Sequence, residues 1–213
     1  MKKNQIGRRI VILIVGVFFM GFGAAFLTVA EFGSDAVLVF QQGVANAFEL
    51  DLGIAITIIN VALLVVLFFV DKKMINIGTV VVVVVAGPWV SLLLNLGFLP
   101  SSDSFWLQFV YFLIASIIVT FGVSMYVYAD IGYAPLEGII MSIRNRTKLR
   151  FGTIKIFQDG ILFLIGWLLG GRFWVGSVIS IFLFGPLIDL YTALYNKIGL
   201  LKPVNEEEVE QIS

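Results

Sequence analysis

Six stretches of roughly twenty apolar residues, parted by short polar interruptions, constrain this chain more than any other feature. A helix that crosses a bilayer needs about 20 mostly apolar residues. The stretches lie at residues 10–30, 53–70, 75–96, 105–129, 152–170 and 173–195, with 53–70 and 152–170 near the short limit. Asp71-Lys72-Lys73, Gly97 to Ser104 and Gly170-Gly171-Arg172 interrupt them. A water-soluble domain is about half apolar, whereas 60% of this chain is hydrophobic, so lipid is the expected solvent. The first stretch, Ile10 to Ala30, is longer than a signal-peptide core and shows no small-residue cleavage site, so it reads as a retained span.

Two further stretches, 34–48 and 134–147, are helical in character but too short to span. Ser34 or Asp35 suits the cap of the first, and Pro135 suits the first turn of the second. The expected fold is therefore all-α: a polytopic membrane helical bundle of six transmembrane helices plus two short non-spanning helices. The tail rich in Glu206, Glu207, Glu208 and Glu210 reads as solvated and disordered.

The second half of the sequence repeats the first. At an offset of 99, Phe22-Gly23 meets Phe121-Gly122, Ala30-Glu31-Phe32-Gly33 meets Ala129-Asp130-Ile131-Gly132, Gly53 meets Gly152, and Asn60 meets Asp159. At an offset of 98, Gly78-Thr79-Val80 meets Gly176-Ser177-Val178 and Gly87-Pro88 meets Gly185-Pro186. One deletion before Gly176 accounts for the change. Such self-similarity marks a duplication, here of a unit with three spans and one short helix. The chain then divides into a cytoplasmic N-terminus (1–9), repeat 1 (10–97), an extracytoplasmic linker (98–104), repeat 2 (105–198) and an acidic cytoplasmic tail (199–213).

Charge sets the orientation. Short cytoplasmic loops are enriched in Lys and Arg. If the short helices do not cross, only Arg172 of the 14 basic residues falls outside. Three spans per unit then invert the second copy, so the expectation is two inverted-topology repeats of three transmembrane helices each. Glu49 and Asp51 correspond to Lys148 and Arg150, acidic in one copy and basic in the other. Both termini are expected in the cytoplasm.

The residue inventory narrows the chemistry. The chain has no Cys and no His, and its 14 basic and 14 acidic residues cancel. That excludes disulfides, Cys/His zinc sites and the usual neutral-pH base, and gives no reason to expect a nucleic-acid partner. No motif carries enzyme-specific spacing, so no enzyme activity and no cofactor are expected. Ionisable groups at membrane depth default to functional candidates. Asp159 and its counterpart Asn60 place polar groups at one level in both halves, and Asp189 lies a turn after Gly185-Pro186, opposite Ser91. Glu137 and Gln41 sit in the two short helices. Lys155, four residues before Asp159 on the same helical face, either neutralises it or tunes its titration. Gly87-Pro88 and Gly185-Pro186 are either packing kinks or breaks whose freed carbonyls bind a ligand. Glu31 and Asp130 read as interfacial caps. Trp106 and Trp174 fit an interfacial belt, and Gly166, Gly170 and Gly171 suit close helix contact or a homodimer face.

These residues resemble the YczE/YyaS/YitT group of bacterial membrane proteins. The likeness runs over residues 8–195, through Arg8-Arg9, Gly21-Phe22-Gly23, Glu31-Phe32-Gly33-Ser34-Asp35-Ala36, Asp130-Ile131-Gly132-Tyr133-Ala134-Pro135, Phe151-Gly152-Thr153 and Gly185-Pro186-Leu187-Ile188-Asp189. The resemblance implies a multi-pass protein of the bacterial inner (plasma) membrane, treated as a transporter, with no substrate or site residues to carry over. Together with the paired breaks, which mark secondary-transporter sites, this leads to the expectation of a small secondary transporter of an unknown solute or lipid. The alternative is a non-transporting accessory protein that binds a membrane partner or lipid.

Overall fold

The computed structural model describes residues 3–200, all in helices and connecting turns. Lys2, Lys202 and the expected tail from residue 201 onward lie outside the described residues. The helices are α1 (Lys3–Ala30), α2 (Ala36–Ala47), α3 (Leu52–Asp71, continued by a 3₁₀ turn Lys72–Met74), α4 (Ile77–Leu96), α5 (Phe105–Ala129), α6 (Pro135–Arg146), α7 (Phe151–Leu168) and α8 (Val175–Lys197).

Six of these eight are long and apolar enough to cross a membrane: Ile6–Ala30, Leu52–Met74, Ile77–Leu96, Phe105–Ala129, Phe151–Leu168 and Val175–Lys197. The other two, α2 and α6, have 12 residues each. At 1.5 Å per residue that is about 18 Å, well short of the roughly 30 Å hydrocarbon layer. Asp35 caps α2 by accepting from Val37 N at 3.2 Å, and Pro135 opens α6. The outer surface is apolar, with Ile14, Phe18, Val65, Phe69, Val84, Ile117, Phe157 and Phe182 all exposed. The valine run splits by helical phase, Val82 and Val83 inward and Val80, Val84 and Val85 outward.

The bundle is built around α1 and α5, which run antiparallel. Arg9 donates to the Ala129 carbonyl at 2.6 Å, Gly16 lies against Gly122 and Tyr126, Gly23 against Val119, and the Phe32 and Phe105 rings meet edge to face. α4 packs on α1 as α8 packs on α5. α2 packs on α7 as α6 packs on α3. Gly166 and Gly171 are used within the chain in the α2–α7 contact, close against the backbone of Val39 and Phe40.

The two breaks are held crosswise. After α1, Glu31 takes a left-handed conformation (φ 54°) and Gly33 follows at φ 119°. After α5, Asp130 (φ 53°) and Gly132 (φ 142°) repeat this. Such angles favour glycine, and Asp is among the side chains that tolerate the left-handed region. The start of α8 clamps the first break: Gly176 N donates to Phe32 O at 3.0 Å and Ser34 N to Ser177 Oγ at 3.0 Å. The start of α4 clamps the second: Gly78 N donates to Ile131 O at 3.2 Å and Tyr133 N to Thr79 Oγ1 at 3.2 Å.

Candidate functional site

Because α2 and α6 stop short of spanning, their first turns lie among the other helices. Asp35 caps α2 and Glu137 is the third residue of α6. Negative charge is favourable at these helix N-termini, where backbone N–H groups are unpaired. Both carboxyls line one central cavity of about 90 Å³, together with Gln41, Asn60, Tyr126 and Lys155. Lys155 Nζ donates to Asp159 Oδ1 at 3.1 Å, in an ion pair whose side chains are 3% and 2% exposed. The same ammonium is electrostatically coupled to Glu137 and Asp35. Neither Asp35 nor Glu137 has a salt-bridge partner among the described residues. The Tyr126 hydroxyl, fully buried, faces Glu137 without a hydrogen bond of good geometry.

The centre therefore holds three carboxyls and one ammonium buried inside the helical bundle, where unpaired charge is expensive. The chemistry open to such a cluster is proton or cation exchange. The rest of the wall is apolar, including Met20, Ile56, Val90 and Phe184.

A vestibule of about 670 Å³ opens at the break after α1, lined by Glu31, Ser34, Gln42, Asn46, Arg172 and Trp174. Gln42 Nε2 donates to Ser34 Oγ at 3.3 Å, while its Oε1 is buried without a partner. The consecutive Gln41 and Gln42 face the central cavity and the vestibule respectively. At the opposite end, Ser142 donates to Asp71 at 3.0 Å, and Arg146 lies 3.7 Å from Asp71 and donates to the Val70 carbonyl at 3.0 Å.

Of the residues singled out in the sequence, Asp159, Lys155, Asn60, Glu137 and Gln41 gather at this centre. Ser91, Asp189 and the two Gly-Pro pairs do not line it. Ser91 donates to Asp51 at 2.5 Å, and Asp51 also accepts from Gly53 N at 2.9 Å, capping α3. This hydroxyl holds the Asp51 carboxyl below the usual carboxylate range. Asp189 plays the matching part at α7, accepting from Gly152 N at 3.2 Å. Gly87 and Gly185 allow α4 and α8 to lie against the backbones of Gly53 and Gly152, and Pro88 and Pro186 face outward. Glu31 and Asp130 sit at the helix ends, and the Tyr133 hydroxyl donates to Asp130. Two residues of the centre were not assigned to it from sequence. Asp35 was readable only as a cap, although a cap on a helix too short to span is itself a membrane-depth signal. Tyr126 carries no sequence signal, being one aromatic in an apolar helix.

Bundle and buried cluster together define a multi-pass helical membrane protein with an ionisable centre. The chain belongs to the family of unknown function DUF6198, whose profile matches residues 7–193. It is similar to an uncharacterised protein of Haemophilus influenzae, 22% identical over 184 residues that cover 86% of this chain and 83% of that one. No solved structure matches.

Proposed function

We propose that the protein is a small secondary transporter of the bacterial cell membrane, working by alternating access around the Asp35–Glu137–Lys155–Asp159 centre. The observation that carries this reading is the meeting of two broken-helix N-termini at one buried charged cavity. Secondary transporters place their sites in this way, at the interface of inverted repeats near the midplane. The pairing of the helices supports the inversion: corresponding helices α1 and α5 run antiparallel, and each break is clamped by the other half. On this reading residues 10–97 and 105–198 are the two repeats, and the termini are cytoplasmic. On this reading the vestibule at the Glu31 end is the outward side, and the contacts between Asp71, Ser142 and Arg146 lie at the inward side. The likeness to the YczE/YyaS/YitT group points the same way.

The absence of cysteine allows a clean topology test, since any introduced thiol is unique. Phe48 and Lys148 are exposed and adjoin the acidic and basic copies of the same segment. Phe48→Cys is expected to react with a membrane-impermeant maleimide in intact cells, and Lys148→Cys only in lysed cells. Labelling of both from one side would end the inverted-repeat reading.

Transport itself is tested in proteoliposomes with an internal pH-sensitive dye and an imposed proton gradient. A panel of amines, amino acids, alkali cations and organic anions is added, with protein-free vesicles as reference. The expected result is protein-dependent proton movement for one solute class, reduced at least about tenfold in Glu137→Gln, a loss of the size a buried charged contact supplies. No protein-dependent flux for any solute would instead favour an accessory protein.

A further inference from the structure

The ligand class follows from charge balance and shape at the centre. Three carboxyls face one ammonium, so two formal negative charges need either protons or a bound cation in this low-dielectric place. The titratable groups that line the cavity are Asp35 at the α2 cap, Glu137 on α6, Tyr126 on α5 and Lys155 on α7, with Asp159 behind Lys155 as its ion-pair partner. α1, α3, α4 and α8 contribute uncharged side chains, Asn60 and Phe184 among them. Lys155 already shows what the centre accepts, an alkylammonium held against a carboxylate at 3.1 Å.

Three further observations narrow the cation. Among the described residues no group of three acids converges closely enough to hold a metal ion, so the carboxyls suit a ligand with length rather than a bare ion that draws in several oxygens. The Tyr126 hydroxyl is buried beside Glu137 and lines the same space, so its oxygen lone pairs can accept from a donor-rich head. The apolar remainder of the wall suits a short hydrocarbon body. The cavity is small, about 90 Å³, which suits a short ligand.

We propose that the central cavity binds a short primary alkylammonium ion, its head between Asp35, Glu137 and the Tyr126 oxygen and its hydrocarbon against the apolar wall, in exchange for a proton. Charge then balances: of the two protons that neutralise Asp35 and Glu137, one leaves as one cation enters and the other stays on the pair, while the Lys155–Asp159 pair remains in place. The proposal rests on the central cavity being the transport site.

The test is isothermal titration calorimetry on the full-length protein in detergent, with ethylammonium chloride as the probe. Sodium chloride and ethanol serve as comparison arms, and each titration is run in two buffers of different ionisation enthalpy. The expected result is saturable ethylammonium binding with proton release, about tenfold weaker or more in Glu137→Gln and in Asp35→Asn. Asparagine keeps the α2 cap, and either variant alone suffices if the other does not fold. Ethanol binding as tightly as ethylammonium, sodium binding in its place, no proton release, or unchanged affinity in a folded variant would each overturn the proposal. Ethylammonium binding without flux in proteoliposomes would sink the transporter reading alone. Flux of another solute with no ethylammonium binding would sink this proposal alone.

Discussion

Lys155→Met is expected to destabilise the protein by about 3–5 kcal/mol, the range measured when one partner of a buried ion pair is removed. Methionine fills much of the lysine stem's volume, so the loss is electrostatic. Asp159, 2% exposed, is left without its cation, and Asp35 and Glu137 lose the charge they share. Removing the pair together has a different outcome: Lys155→Met with Asp159→Leu is expected near wild-type stability, because an apolar pair of similar volume is often neutral or better. Thermal unfolding of the purified variants in detergent reads both. The pair of measurements also separates two roles. If Lys155 and Asp159 only neutralise each other, the double variant keeps its flux in proteoliposomes. If the ammonium organises the binding centre, the double variant is stable and its flux is lost.

The second large effect concerns backbone contact. A Cβ on Gly122 would lie 2.2 Å from Met20 N, 2.6 Å from the Gly16 carbonyl oxygen and 2.8 Å from Met20 Cα. All three neighbours are backbone, so no side chain can swing aside and α1 must move away from α5. Gly122→Ala is expected to cost about 3 kcal/mol, the upper part of the usual overpacking range, even though alanine is about 1 kcal/mol the better helix former. Gly160 in α7 provides the internal control, with nothing within 4 Å of its Cβ position. There only propensity acts, and Gly160→Ala is expected to raise stability by up to about 1 kcal/mol. Opposite shifts in the unfolding midpoint would confirm that the α1–α5 contact is set by the missing side chain. Equal shifts would refute it.

The number of spans was readable from the sequence because bilayer thickness sets helix length. The two short helices were readable because their apolar runs fall far below it. Helix ends were less so: α7 stops at Leu168, ahead of the expected 170, where Gly170 turns to φ 81°. Within the candidate site, the Lys155–Asp159 pair was legible from four-residue spacing on one helix, and Asn60 from its place in the repeat. Tyr126 was not, since the cavity is assembled from α1 to α8 and no local pattern reports which face of α5 turns inward. Ser91 and Asp189 show the converse. Both follow Gly-Pro pairs, which the sequence offered as breaks but through which α4 and α8 run continuously, and their helical phase aims them at the starts of α3 and α7.

The crosswise clamps have a consequence for biogenesis. Phe32 and Ser34 wait for Gly176 and Ser177, which follow more than 140 residues later (143 for the serine pair). The ribosome therefore inserts the early spans with their first turn-back unanchored. That segment is fastened only when the last helix enters the bilayer, so a chain truncated before α8 emerges as an assembly intermediate rather than a working half.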